Sequence, residues 1–133
     1  MTREEFIREA ALFIEKADRS LEKARKEGLL ALEEDIDETL ARERDIFEYG
    51  IRWVVDGTDN EIVDKILSNI ISHYSDFFDA LLRKIQKEAV LSIQSGDNPR
   101  IMLTNMSSLI NNEDLLEIEK LIPKDIEVLP GRA

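Results

Sequence analysis

TREEFIREAALFIEKADRSLEKARKE, residues 2–27, decides the fold. Phe6, Ala10, Ile14, Ala17, Leu21 and Ala24 recur at spacings of 4, 4, 3, 4 and 3, which places them on one stripe of an α-helix. Thr2 followed by Glu5 fits a capping box at its start. The alanines in the stripe call for close packing against another helix. Gly28 ends or kinks this helix, because glycine is a poor helix former.

Further along, Leu29, Leu32 and Ile36 continue at helical spacing, and Phe47, Ile51, Val54 and Val55 do so again. The charged interval 37–45, with only Leu40 and Ala41 as apolar residues, is either a solvated helix surface or a loop. Asp56-Gly57 is a turn signal, and Thr58 with Glu61 fits a second capping box. From Asp59 the residues Ile62, Ile66, Ile70, Tyr74, Phe77, Leu81 and Ile85 form a stripe, expected to pack against the Phe6 stripe. Nothing clearly breaks this helix before Gly96. Thirty-odd residues is nevertheless long for a globular helix, so a break within 72–75 stays open. Gly96 reads as a helix stop, Asn98 as the next cap and Pro99 as a first helical residue. Met102, Leu103, Met106, Leu109 and Ile110 make that helix's buried face. Asn112 caps a last short helix with Leu115, Ile118, Leu121 and Ile122 inward, ended by Pro123. Residues 123–133 read as a mobile tail with few anchors. No strand pattern longer than Glu127, Val128 and Leu129 is present. The chain therefore reads as all-α, a compact helical domain of about five to six helices over residues 1–122.

At 133 residues the chain fits one domain able to bury a modest core. It has no cysteine, so disulfides and thiolate metal sites are excluded. The formal net charge of −11 repels nucleic acid and anionic lipid and suits a basic protein partner or simple solubility. No apolar run approaches the ~20 residues of a membrane helix, and the N-terminus opens with Arg3, Glu4 and Glu5 rather than a signal peptide.

The chemistry-bearing residues are sparse. His73 is the only histidine, which rules out a multi-histidine metal site, and it reads as a packed or half-buried structural residue. Trp53 falls in a helical apolar set and reads as core. There is no nucleophile–base arrangement, no phosphate-binding glycine loop and no cofactor motif. Carboxylate runs such as Glu33-Glu34 are usually a solvated face, so the chain does not read as an enzyme. Arg25, Lys26, Glu33 and Glu34 are harder to place. Lys26 and Glu33, seven residues apart, share one face if the helix runs unbroken through Gly28. On residue type alone a solvated surface is favoured over a binding site.

Three segments change that weighting. Ala24-Arg25-Lys26-Glu27-Gly28-Leu29-Leu30-Ala31-Leu32-Glu33-Glu34, Trp53-Val54-Val55-Asp56-Gly57-Thr58-Asp59 and Glu88-Ala89-Val90-Leu91-Ser92-Ile93-Gln94-Ser95-Gly96-Asp97-Asn98-Pro99-Arg100 resemble, in the same order, cytoplasmic elements of MotA-type flagellar stator proteins. The Trp53–Asp59 segment is similar to the family's "VVDGTD" element. The Glu88–Arg100 segment is similar to the one that follows the family's last membrane span. In that family four membrane helices carry a cytoplasmic mass between the second and third spans and a tail after the fourth. The subunits ring paired B subunits that are anchored to peptidoglycan. Ion flow drives the rotor, and the cytoplasmic part pushes on the rotor protein FliG.

The resemblance implies that residues 1–72 correspond to the loop between spans two and three, and 86–122 to the tail after span four. It implies contact with FliG through Arg25 and Glu33, with Lys26 and Glu34 as adjacent contributors. The chain would then be the torque-transmitting cytoplasmic domain of a bacterial inner-membrane protein of motility and chemotaxis, itself soluble, and a homo-oligomer in its full-length context. The third and fourth spans would fall within 72–85, which here is short and charged. The chain is then either an excised cytoplasmic fragment with a short join, which the fit of 92–100 favours, or a natural soluble variant. Ion conduction is not a property of this chain in either case. The rival readings are a helical protein–protein adaptor outside the motor, and an enzyme with an inward-facing carboxylate pair in a cleft.

Overall fold

The computed structural model describes residues 1–129. It is all-helical over that range: seven α-helices and one 3-10 helix, in the order α1 (Arg3–Glu27), the 3-10 helix (Leu29–Asp35), α2 (Glu38–Arg42), α3 (Ile46–Val55), α4 (Asn60–Ile71), α5 (Phe77–Ser95), α6 (Pro99–Ser107) and α7 (Asn112–Glu119). The count exceeds the five to six expected because short polar breaks divide what periodicity alone joins.

α1 is as its stripe predicts. Thr2 and Glu5 form the reciprocal capping box, and Phe6, Ala10, Ile14, Ala17 and Leu21 are fully buried. Glu4 and Glu5 lie in the first turn, Arg25 and Lys26 in the last, which suits the helix dipole at both ends. Gly28, at φ +92°, stops the helix.

α5 lies at the centre, packed against α1, α3, α4 and α6. Leu82, Ile85, Ala89, Val90 and Ile93 are its buried apolar residues. α3 approaches it closely at Gly50. A Cβ there would lie 2.9 Å and 3.0 Å from the two methyls of Val90 and 3.0 Å from Leu67 Cδ1. α4 packs against α3 and α5, and polar ties fix its start to the end of α5. Gln94 Nε2 donates to the Thr58 carbonyl (2.6 Å), and Asn60 Nδ2 donates to Gln94 Oε1 (3.1 Å). The turn at Asp56 and Gly57 (φ +82°) is thus clamped onto α5.

Several expectations are corrected, and two that stayed open are decided: the break near 72–75 and the helical alternative for 37–45 are both observed. The long helix from Asp59 breaks at 72–76, where Asp76 caps α5 by accepting from the Asp79 N–H at 2.9 Å. In α4 the inward residues are Val63, Leu67, Ile70 and Ile71, one position on from the expected Ile62 and Ile66; Ile62 is 49% exposed. Phe77 is 71% exposed. Of α4 and α5, it is α5 that packs on α1, so no continuous 62–85 stripe does. Thr58 forms no capping box, since α4 starts at Asn60 after an Asp59 that makes no side-chain cap bond. Interval 37–45 contains the short α2, and Arg44 takes a left-handed φ of 61° before Asp45 caps α3. Asn111, rather than Asn112, caps α7, accepting from the Asp114 N–H at 2.8 Å. Leu109 and Leu121 face outward, and His73 is exposed. Trp53 is half-buried, edge-on to Tyr49. In the expected tail, Ile126 and Val128 are buried anchors; its residues 130–133 lie outside the described range.

Two buried carboxylates are each neutralised from α1. Lys16 Nζ donates to Glu48 Oε1 at 2.6 Å, and Arg3 Nε donates to Asp114 Oδ1 at 2.7 Å. These pairs fix how α3 and α7 sit against α1. Elsewhere on the surface, the Met1 amine lies 3.5 Å from the Asp76 carboxylate. The chain start and the α4–α5 turn therefore share one end of the domain. No helix among the described residues is long and apolar enough to cross a membrane.

Replacing Gly50 with alanine should destabilise the protein by about 1–3 kcal/mol, the usual cost of overpacking, and Val90→Ala in the same chain should recover part of it. Urea unfolding of the single and double variants checks this. The same measurement tests the register of the core. Ile85→Ala should cost about 2–5 kcal/mol, and Ile62→Ala should stay within about 0.5 kcal/mol.

Candidate functional site

The four charged residues singled out by sequence lie at the far end of α1 from Met1. Arg25 and Lys26 close the helix, Gly28 turns the chain, and Glu33 and Glu34 follow in the 3-10 helix. All four are exposed. The break at Gly28 removes the simple seven-residue alignment of Lys26 with Glu33, since the two sit on separate helices. The 3-10 helix folds back on the end of α1. Its inward row is Leu29, half-buried, and Leu32, buried; its outward row is Leu30 and Glu33. Residues three apart eclipse in such a helix, which explains the division.

The charges are not equivalent. Lys23 Nζ donates to Glu34 Oε1 at 2.5 Å and to Asp35 Oδ2 at 2.9 Å, pinning the 3-10 helix to α1. Those two bonds, Asp35 first, raise the Lys23 ammonium above the ordinary lysine range. Lys26 donates to Glu22 at 2.7 Å within its own helix, and this holds the Glu22 carboxyl below its usual value. Arg25 and Glu33 make no ion pair or side-chain hydrogen bond with any described residue. Among the four, the site therefore presents one free cation and one free anion, each beside a charge already engaged. Sequence reasoning missed Lys23, because its partners lie 11 and 12 residues ahead across a turn of unknown direction. It also missed that Leu30 points outward.

Two other polar features have internal explanations. In the cleft beside the α4–α5 turn, Lys87 is already tied to Asp64 at 2.8 Å and to Ser68 at 3.1 Å, and the Lys87 bond holds the Asp64 carboxyl down. Asp18 has its carboxyl pushed up, chiefly by partial burial and then by Glu22 and Asp125. Among the described residues no cluster of three histidine or carboxylate side chains could hold a metal ion. Comparison with known protein families, curated proteins and solved structures finds no match to this chain.

The Lys23 brace makes a specific expectation. In Lys23→Met, amide hydrogen exchange over residues 29–36 should speed up at least several-fold, while the melting temperature moves little, because exposed ion pairs contribute little to global stability. Lys23→Arg should keep slow exchange. Unchanged exchange in Lys23→Met would mean that apolar packing of Leu29 and Leu32 alone holds the segment.

Proposed function

We propose that this chain is the torque-transmitting cytoplasmic region of a MotA-type stator subunit and that it docks on FliG through Arg25 and Glu33, flanked by Lys26 and Glu34. The three ordered motifs suggest the reading; one geometric observation carries it. In the family the chain passes between membrane and cytoplasm at the start of the first cytoplasmic region and again between the counterparts of residues 72 and 85. Here Met1 and Asp76 are in contact, and on this reading the counterparts of both crossing points would share one face. The charged end is separated from it by the length of α1, whose 25 residues span about 37 Å at the α-helical rise. A membrane-facing end and a partner-facing end, joined by one helix whose apolar face is buried, suit a part that carries force from an inner-membrane assembly to a rotor.

The chemistry of the contact fits repeated stepping. Opposite charges speed encounter and set orientation more than they add affinity, and exposed pairs are weak enough to release. Lys23, bonded to Glu34 and Asp35, holds the segment's shape, leaving Arg25 and Glu33 to meet the partner. In the full assembly the remaining membrane helices and the peptidoglycan-anchored B subunit supply ion flow and anchorage. This reading gives the chain no catalysis, cofactor or metal.

Calorimetric titration of the chain with FliG from the same organism tests it. Binding should be weak and should weaken further with salt. Arg25→Glu and Glu33→Lys should each lower affinity by about tenfold, roughly 1.4 kcal/mol, with melting temperature unchanged. The opposite reversal on FliG should restore part of it. No binding by the wild-type chain would leave the adaptor reading standing in its place.

A further inference from the structure

We infer that Leu30 is the apolar anchor of the same docking surface, seated in a socket on the partner between an acidic and a basic edge; this rests on the FliG reading above. Leu30 is 72% exposed, more than any other large apolar side chain among those described. Its exposure is not a failure of the local fold. Leu29 and Leu32 already supply the inward row that holds the 3-10 helix to α1, and the Lys23 bonds to Glu34 and Asp35 fix its rotation. With that rotation set, Leu30 must face out. Glu33, three residues on, eclipses it about 6 Å along the 3-10 axis. Arg25 precedes it in the last turn of α1.

Along the chain, a protruding leucine thus lies between an unengaged cation before it and an unengaged anion after it. Interfaces concentrate binding energy in a desolvated centre and leave charges to the rim. Charges alone give orientation and speed; a leucine entering a socket adds a contact that salt does not screen. The flanking signs require a partner with an acidic edge facing Arg25 and a basic edge facing Glu33. A second copy of this chain, at net charge −11, is opposed by repulsion over the rest of its surface.

Titration of Leu30→Ala with FliG at low salt and at about 0.5 M salt, where screening of exposed charges is strong, decides it. We expect affinity to fall at least fivefold at both salt concentrations, with Leu30→Met close to wild type. The effect of Arg25→Glu, by contrast, should shrink at high salt. The Leu30 methyl resonances of the wild-type chain should shift and broaden on adding FliG, a readout independent of any variant's folding. Wild-type affinity in Leu30→Ala with unmoved methyl resonances would overturn the anchor while leaving the charge-mediated docking intact. Self-association that Leu30→Ala abolishes without altering FliG binding would overturn it in favour of a second copy as occupant. Failure of the wild-type chain to bind FliG would overturn both the anchor and the reading on which it rests.

Discussion

The close approach of α3 to α5 at Gly50 governs this fold. With no side chain at that position, Val90 and Leu67 reach the α3 backbone, and α3, α4 and α5 meet at one point. Once these helices are in register, α5 presents other faces to α1 and α6. The Gln94–Thr58 and Asn60–Gln94 bonds then lock the α3–α4 turn to the end of α5. A methyl group at residue 50 would press on Val90, whose branched side chain has little freedom to move away.

Buried charge gives the packing its specificity. Glu48 is 3% exposed and Asp114 5%, and each meets a base on α1. Such pairs contribute little net stability, because desolvation offsets attraction, yet losing one partner strands a buried charge and is costly. An arrangement that rotated α1 would strand both carboxylates at once. Apolar contacts alone, tolerant of sliding, do not discriminate so sharply between neighbouring rotations.

The sequence makes some of this legible, for definite reasons. α1 is readable because its apolar and charged residues separate cleanly, and the break between α5 and α6 because Gly96, Asn98 and Pro99 each have one strong local preference. α4 is misread by one position because Ile62-Val63 and Ile66-Leu67 place two apolar stripes side by side, and only the neighbours choose between them. Asn111-Asn112 poses the same problem for a cap. The burial of Ile126 and Val128 depends on a surface that the preceding helices build. At the candidate site, residue type is enough to find the charges. Which of them are free is not legible, since Lys23 meets Glu34 and Asp35 only after Gly28 reverses the chain. A seven-residue segment is also too short to separate a period of 3.0 from 3.6, which hides the outward turn of Leu30.

The turn between α4 and α5 has a topological consequence. Residues 72–76 lie at the surface beside the chain start, with His73 and Ser75 exposed to solvent, while the contacts that hold the two helices together lie further along them. Such a turn is a graft point. Lengthening it costs only loop-closure entropy, about 0.6 kcal/mol for each doubling, provided Asp76 stays in place to cap α5. An inserted hairpin that folds independently and returns its ends side by side would avoid even that. The helical core is therefore compatible with two genetic architectures, one uninterrupted and one split by a long insertion, without any change to its interior.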